Sequence, residues 1–142
     1  MLTAATMLLI FLMSAQDGTE SGNLSEWLLN SSFGQTIIKI LPRLTEAGAG
    51  NDLRKYAHMA EYAVLAFFSV HFFLELLLER VPAYALLYSF IFSFLYACSD
   101  EYHQTFVPGR AGQFNDVLID MVGVVFSLTV VTMFCIMRKE SK

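Results

Sequence analysis

A chain of 142 residues that is 56% hydrophobic, holds 13 Phe and is only 15% charged carries more apolar surface than a water-soluble globule of that size buries. Its net charge of −4 offers no basic stripe for phosphates, which excludes a nucleic-acid partner. Cys98 and Cys135 each sit inside an apolar run and read as free thiols behaving as small hydrophobes, with no disulfide and no CxxC metal knuckle.

Four apolar runs follow one another along the chain, and they predict an all-α integral membrane protein. The whole of residues 1–142 reads as one domain, a compact bundle of about four transmembrane helices. The first run, 1–15, is short for a span and lacks a basic start; Ser14-Ala15 also loosely suits signal-peptidase cleavage, but a retained helix is the preferred reading. Next, Gln16–Asn23, rich in Ser, Gly and acid, reads as a surface loop. Trp27, Leu28, Phe33, Ile37, Ile38, Leu41 and Leu44 then recur at rough helical spacing. They predict an interfacial amphipathic segment capped by Ser25 and ended by Pro42, Gly48 and Gly50, with a partly ordered loop as the competing reading.

The second run, 57–78, is long enough to span, yet carries His58, Glu61, His71 and Glu75. The third, 81–98, opens on Pro82, which suits a first helical turn. Glu79-Arg80 leaves room only for a tight turn, so these two helices form an antiparallel pair. The fourth, 117–137, is the cleanest span and runs into Arg138-Lys139-Glu140-Ser141-Lys142. The aromatic third helix, with Tyr84, Tyr88, Phe90, Phe92, Phe94 and Tyr96, reads as lipid-facing and packing surface. Four spans place both termini on one side. Arg80, Arg138, Lys139 and Lys142 there balance Lys39, Arg43, Arg54, Lys55 and Arg110 opposite. The basic tail abuts its helix directly, so both termini are expected in the cytoplasm and Ser99–Asp116 outside.

Ionisable residues inside a membrane are costly, about 2.5–3.5 kcal/mol each near a helix centre on insertion scales, and are functional candidates by default. His58 and Glu61, three apart, share a helix face, with Tyr62 beside them; His71 and Glu75 make a second pair; Asp116 and Asp120 open the last span, where a helix N-terminus favours acids. The densest stretch is Ser99–Arg110. If the third helix continues through Gln104, then Glu101 and Gln104 share a face with Asp100 flanking it, and His103 projects elsewhere. Pro108-Gly109 forces a turn, from which Arg110 is expected to fold back on a carboxylate as a bidentate pair.

The segment Ala97–Asp120, ACSDEYHQTFVPGRAGQFNDVLID, resembles the signature of the VanZ-like family, in which S/T-D-E-x-x-Q-x-F-x-P-x-R precedes a D-x-x-x-N/D-x-x-G helix. Asp100, Glu101, Gln104, Phe106, Pro108, Arg110, Asp116, Asp120 and Gly123 supply that pattern. Lys55, His58, Glu61 and Tyr62 supply R/K-x-x-H-x-x-E-Y, and Ser14 and Gln16 the Ser-x-Gln end of the first helix. The first helix departs from the family in being short and without a basic start.

The resemblance implies a multi-pass protein of the bacterial cell membrane that contributes to low-level resistance to teicoplanin and related lipoglycopeptides, or to envelope homeostasis, through a polar site at the outer face. Its expected partners are membrane lipids, with a lipoglycopeptide or a lipid-linked envelope precursor as candidate ligand. Ligand-binding candidates are Asp100, Gln104, Arg110, Asp116, Asp120, Ser14 and Gln16. The alternative is an intramembrane enzyme acting on a lipid-linked substrate, with Glu101, Glu61 and His58 as acid–base candidates. No GxSxG elbow or HExxH helix occurs, and the cofactor stays open: Glu61, Asp100, Glu101 and Asp116 form an oxygen-rich set suited to a divalent cation, although nothing in the spacing requires one.

Overall fold

The computed structural model describes residues 1–32, 35–36, 49–76 and 82–140. Five helices carry the described chain: α1 (Leu2–Ser14), α2 (Gly18–Asn30), α3 (Ala49–Leu76), α4 (Pro82–Gln104) and α5 (Phe114–Glu140). Three of them, α3, α4 and α5, contain stretches long and apolar enough to cross a membrane: Leu53–Leu76, Ala83–Gln104 and Phe114–Arg138. At 13 residues, α1 is about 20 Å long against a hydrocarbon core of about 30 Å. The four apolar runs therefore resolve into three candidate spans and one shorter apolar helix.

The contacts fix the helix directions. Lys55 meets Asp116, the Met59 carbonyl meets Gly123, and Phe67 and Val130 line one groove, so α3 and α5 run parallel. Tyr62 against Tyr96 and Phe73 against Tyr88 make α4 antiparallel to α3. The Tyr96 hydroxyl donates to the Met7 carbonyl at 2.6 Å, and Ser14 reaches Asp100, which sets α1 parallel to α4. The C-terminal ends of α1 and α4 and the N-terminal ends of α3 and α5 consequently share one end of the bundle.

Small residues let these backbones approach. Lipid is as apolar as the helices, so association in a membrane depends on close packing. Ala66, Ser69, Ala85, Ser89, Ser93 and Ala97 are fully buried along α3 and α4. At Gly123 a β-carbon would collide with the Met59 carbonyl, so only glycine brings α5 this close to α3. Tyr62, Leu65, Ala97, Val117, Met121 and Val124 close the core around Ile10 of α1. On α4, Tyr84, Tyr88 and Phe90 face outward while Phe92, Phe94 and Tyr96 pack against that core.

Two expectations are corrected. Gln16–Asn23 is not a loop: α2 starts at Gly18, and Asp17, not Ser25, is its cap, accepting from the Thr19 and Glu20 amides at 2.9 and 2.7 Å. The signal was Asp17 with Glu20 three residues on, a capping-box spacing, which the polar composition masked. Ser25 instead lies buried, its hydroxyl on the Ser21 carbonyl. Trp27 is 67% exposed, as an interfacial residue would be, whereas Phe33, Ile37, Ile38, Leu41 and Leu44 fall outside the described residues, as does the Glu79-Arg80 turn. Helices α3, α4 and α5 also begin or end several residues beyond the apolar runs. The backbone ladder continues past the point where hydropathy drops, because the polar residues there are partnered inside the bundle.

Candidate functional site

The shared end of the bundle is where the polar side chains collect. Continued through Gln104, α4 places Asp100, Glu101 and Gln104 on one inward face, all three buried. The Gln104 amide donates to Asp100 and to Glu101, 3.1 Å each. Asp100 also accepts from the Ser14 hydroxyl at 2.9 Å, and Glu101 from the Gln113 backbone amide at 2.9 Å. The two acids thus tie α1 and the α4–α5 connection to α4. A β-carbon at Gly112 would strike the Glu101 carbonyl, so this loop lies directly on the helix end. His103 points away, its ring 4.8 Å from that of Phe11.

From α3 come Arg54, Lys55, His58 and Glu61. His58 Nδ1 lies 3.6 Å from a Glu61 oxygen, the side chains only 13% and 17% exposed. That separation is too long for a hydrogen bond, and both atoms are buried without one. Tyr62, fully buried next to them, has an unpartnered hydroxyl. From α5, Asp116 forms an ion pair with Lys55 at 2.8 Å. Asp120, about one helical turn (~6 Å) further along the helix, is 2% exposed. It makes no hydrogen bond to any described residue. Arg54, Lys55, His58, Glu101, Gln104, Asp116, Ile119 and Asp120 enclose a small pocket of about 10 Å³, the space of a single water-sized group.

Arg110 departs from expectation. No carboxylate among the described residues bridges to it; its Nη2 donates to the Met13 carbonyl at 3.2 Å, and its Nε and Nη1 are buried without partners. The turn made by Pro108 and Gly109 (φ 73°) is held by Gly18, whose amide donates to the Pro108 carbonyl at 3.1 Å. A β-carbon on Gly18 would meet the Gly109 carbonyl. This docking aims the guanidinium at the last turn of α1, within electrostatic reach of Asp100, Glu101 and Glu61 without touching them. Burial first, and Arg54 second, lower its pKa from the ordinary value, though a guanidinium stays charged at any physiological pH.

The geometry therefore gathers Ser14, His58, Glu61, Asp100, Glu101, Gln104, Arg110, Asp116 and Asp120 at one end. Gln16 makes no hydrogen bond to a described residue and lies outside the pocket lining. Arg54 and Lys55, which in the sequence bear on topology and, for Lys55, on the R/K-x-x-H-x-x-E-Y pattern, also line this pocket. His71 and Glu75 stay apart from the site: both are exposed, and the His71 ring bonds to the Phe67 carbonyl at 2.9 Å. Among the described residues no three His, Cys, Asp or Glu side chains are grouped to hold a metal ion.

A family model described as VanZ/LLP1 matches residues 1–136, a stretch that includes every residue of this cluster. The chain belongs to the VanZ/LLP1 family. Membership, together with three candidate spans, makes it a membrane protein of a kind tied to glycopeptide resistance. No curated protein and no solved structure matches the chain.

Proposed function

We propose that this protein lowers susceptibility to teicoplanin and related lipoglycopeptides, or maintains the envelope they attack, by recognising a ligand with the polar end of its bundle at the outer membrane face. The observation that carries the reading is the pair of buried, unpartnered nitrogens on Arg110. A guanidinium kept off neighbouring carboxylates has donors free for a phosphate or carboxylate of a ligand. The pocket itself is too small for a glycopeptide, so a large ligand would be engaged at the surface through one small group. Arg138, in the last turns of α5, lies at the opposite end and belongs, on this reading, in the cytoplasm.

The test compares cells lacking the protein with cells complemented by the wild type or by Arg110→Ala. Wild type is expected to raise the teicoplanin inhibitory concentration several-fold, and Arg110→Ala to return it to that of the deletion at normal membrane abundance. Full resistance from Arg110→Ala would remove Arg110 from the site. The sidedness has its own check in Gln113→Cys, an exposed position: an impermeant thiol reagent should label it on intact cells. Labelling only after lysis reverses the orientation.

A further inference from the structure

The polar end holds more than a place for an anion. Five carboxylates (Glu61, Asp100, Glu101, Asp116, Asp120) and three fixed cations (Arg54, Lys55, Arg110) meet there. Most are engaged with one another or with the backbone: Asp100 with Ser14 and Gln104, Glu101 with Gln104 and Gln113, Asp116 with Lys55. Groups of opposite charge are nevertheless left without a direct partner around one pocket. Asp120, almost fully buried and lining the pocket, accepts no hydrogen bond from a described residue. Arg54 lines the same pocket with no ion-pair partner among the described residues, and Arg110, outside that lining but near enough for Arg54 to act on its charge, has two nitrogens buried without partners. Had charge neutralisation been all the fold required, these groups would pair directly.

We infer that the pocket receives the primary ammonium of a zwitterionic ligand, with Asp120 as its deep acceptor, while Arg54 holds an oxyanion of the same ligand. This rests on the ligand-recognition reading above and names its chemistry. Size decides which end enters: about 10 Å³ admits a water-sized –NH₃⁺ and excludes both a phosphate and a trimethylammonium. An ammonium carries three donors, which Asp120, Glu101 and Asp116 can accept, the last two through lone pairs left beside their existing contacts. Its charge also offsets the excess of carboxylates. An oxyanion beside Arg54 also offsets the repulsion between the Arg54 and Arg110 guanidiniums. The ligand class is an aminoalkyl phosphate, free in solution or as a phosphoethanolamine lipid headgroup.

The experiment uses the full-length protein in phosphatidylcholine nanodiscs. It is titrated with phosphoethanolamine, phosphocholine and inorganic phosphate, and with dihexanoyl phosphatidylethanolamine against its phosphatidylglycerol and phosphatidylcholine counterparts, following Kd and Tm. The ethanolamine compounds are expected to bind saturably and at least tenfold more tightly than choline, glycerol or phosphate counterparts. Binding by the free compound assigns a soluble source, and binding by the lipid alone a headgroup. Asp120→Asn should erase the preference for ethanolamine over choline, and Arg54→Gln, a rim change that spares the interior, should weaken every phosphate-bearing compound. Equal affinity for the ethanolamine and choline compounds, an unchanged preference in Asp120→Asn, or no saturable binding by any compound overturns the inference. Because binding is measured on purified protein, selective binding without a resistance phenotype would reject the cellular role and keep the ligand, and the reverse result would do the opposite.

Discussion

Helix α3 carries the same two residue types twice, and only one occurrence becomes part of a site. Near its start, His58 and Glu61 are sunk among α4, α5 and the Arg110 turn, their polar atoms held without hydrogen bonds. Near its end, His71 and Glu75 are exposed, and the imidazole simply turns back to a carbonyl of its own helix. Residue type and spacing alone do not separate the pairs, each a His and a Glu within one turn of an apolar helix; only the R/K-x-x-H-x-x-E-Y pattern marks the first. What separates them is that four helix ends and two connections converge on the first pair, while the second lies on an open flank. A histidine or acid in a span is thus a weak sign of function until its neighbours on other helices are known.

The strongest way to break this contrast is to push α5 off α3. Gly123→Leu should destroy the approach to Met59 on which the pocket depends, lowering stability by about 3 kcal/mol or more and abolishing folded protein in a fluorescence-detected gel-filtration assay. Gly22→Ala, with nothing within 4 Å, should be silent in the same assay. If Gly123→Leu kept wild-type stability, the α3–α5 seam would not be what assembles the site.

A smaller effect sharpens the contrast between the ends. Glu101→Gln replaces two acceptor oxygens with one, so either the Gln113 amide or the Gln104 amide loses its partner. A stranded buried donor costs about 1–3 kcal/mol, and Tm should fall accordingly, together with the resistance phenotype. Glu75→Gln and His71→Ala should stay within about 0.5 kcal/mol of wild type. Comparable losses at both ends, measured by thermal unfolding in one detergent, would erase the distinction.

The smallest expected effect lies at the α2 cap. Hydrogen bonds from the Thr19 side chain, and then from the Glu20 amide, hold the Asp17 carboxyl below its ordinary 3.8. With the folded pKa depressed, the cap's contribution is present above the unfolded value and fades as pH falls through the folded one. Amide-exchange protection in the first turn of α2 should therefore weaken below about pH 4, and Asp17→Ala should be weakly protected there at every pH. Uniform protection across that range in the wild type would show that packing of Gly18 on Gly109, rather than the cap, fixes this end.

The sequence by itself determined the helical membrane class, the family, and the convergence of the acids of α4 and α5 with His58 and Glu61. Hydropathy and the short polar signature are local, and the connections left few ways to arrange the helices. Composition misled at Gln16–Asn23, where polar residues concealed a capped helix. Only the tertiary structure decided that Arg110 meets the Met13 carbonyl instead of a carboxylate, that Arg54 joins the pocket lining, and that Asp120 is buried without a donor among the described residues. Each of those outcomes depends on which atoms of distant helices arrive within about 3 Å of one another. No spacing along the chain encodes that, because it is set by how closely Gly123, Gly18 and Gly112 let the backbones meet.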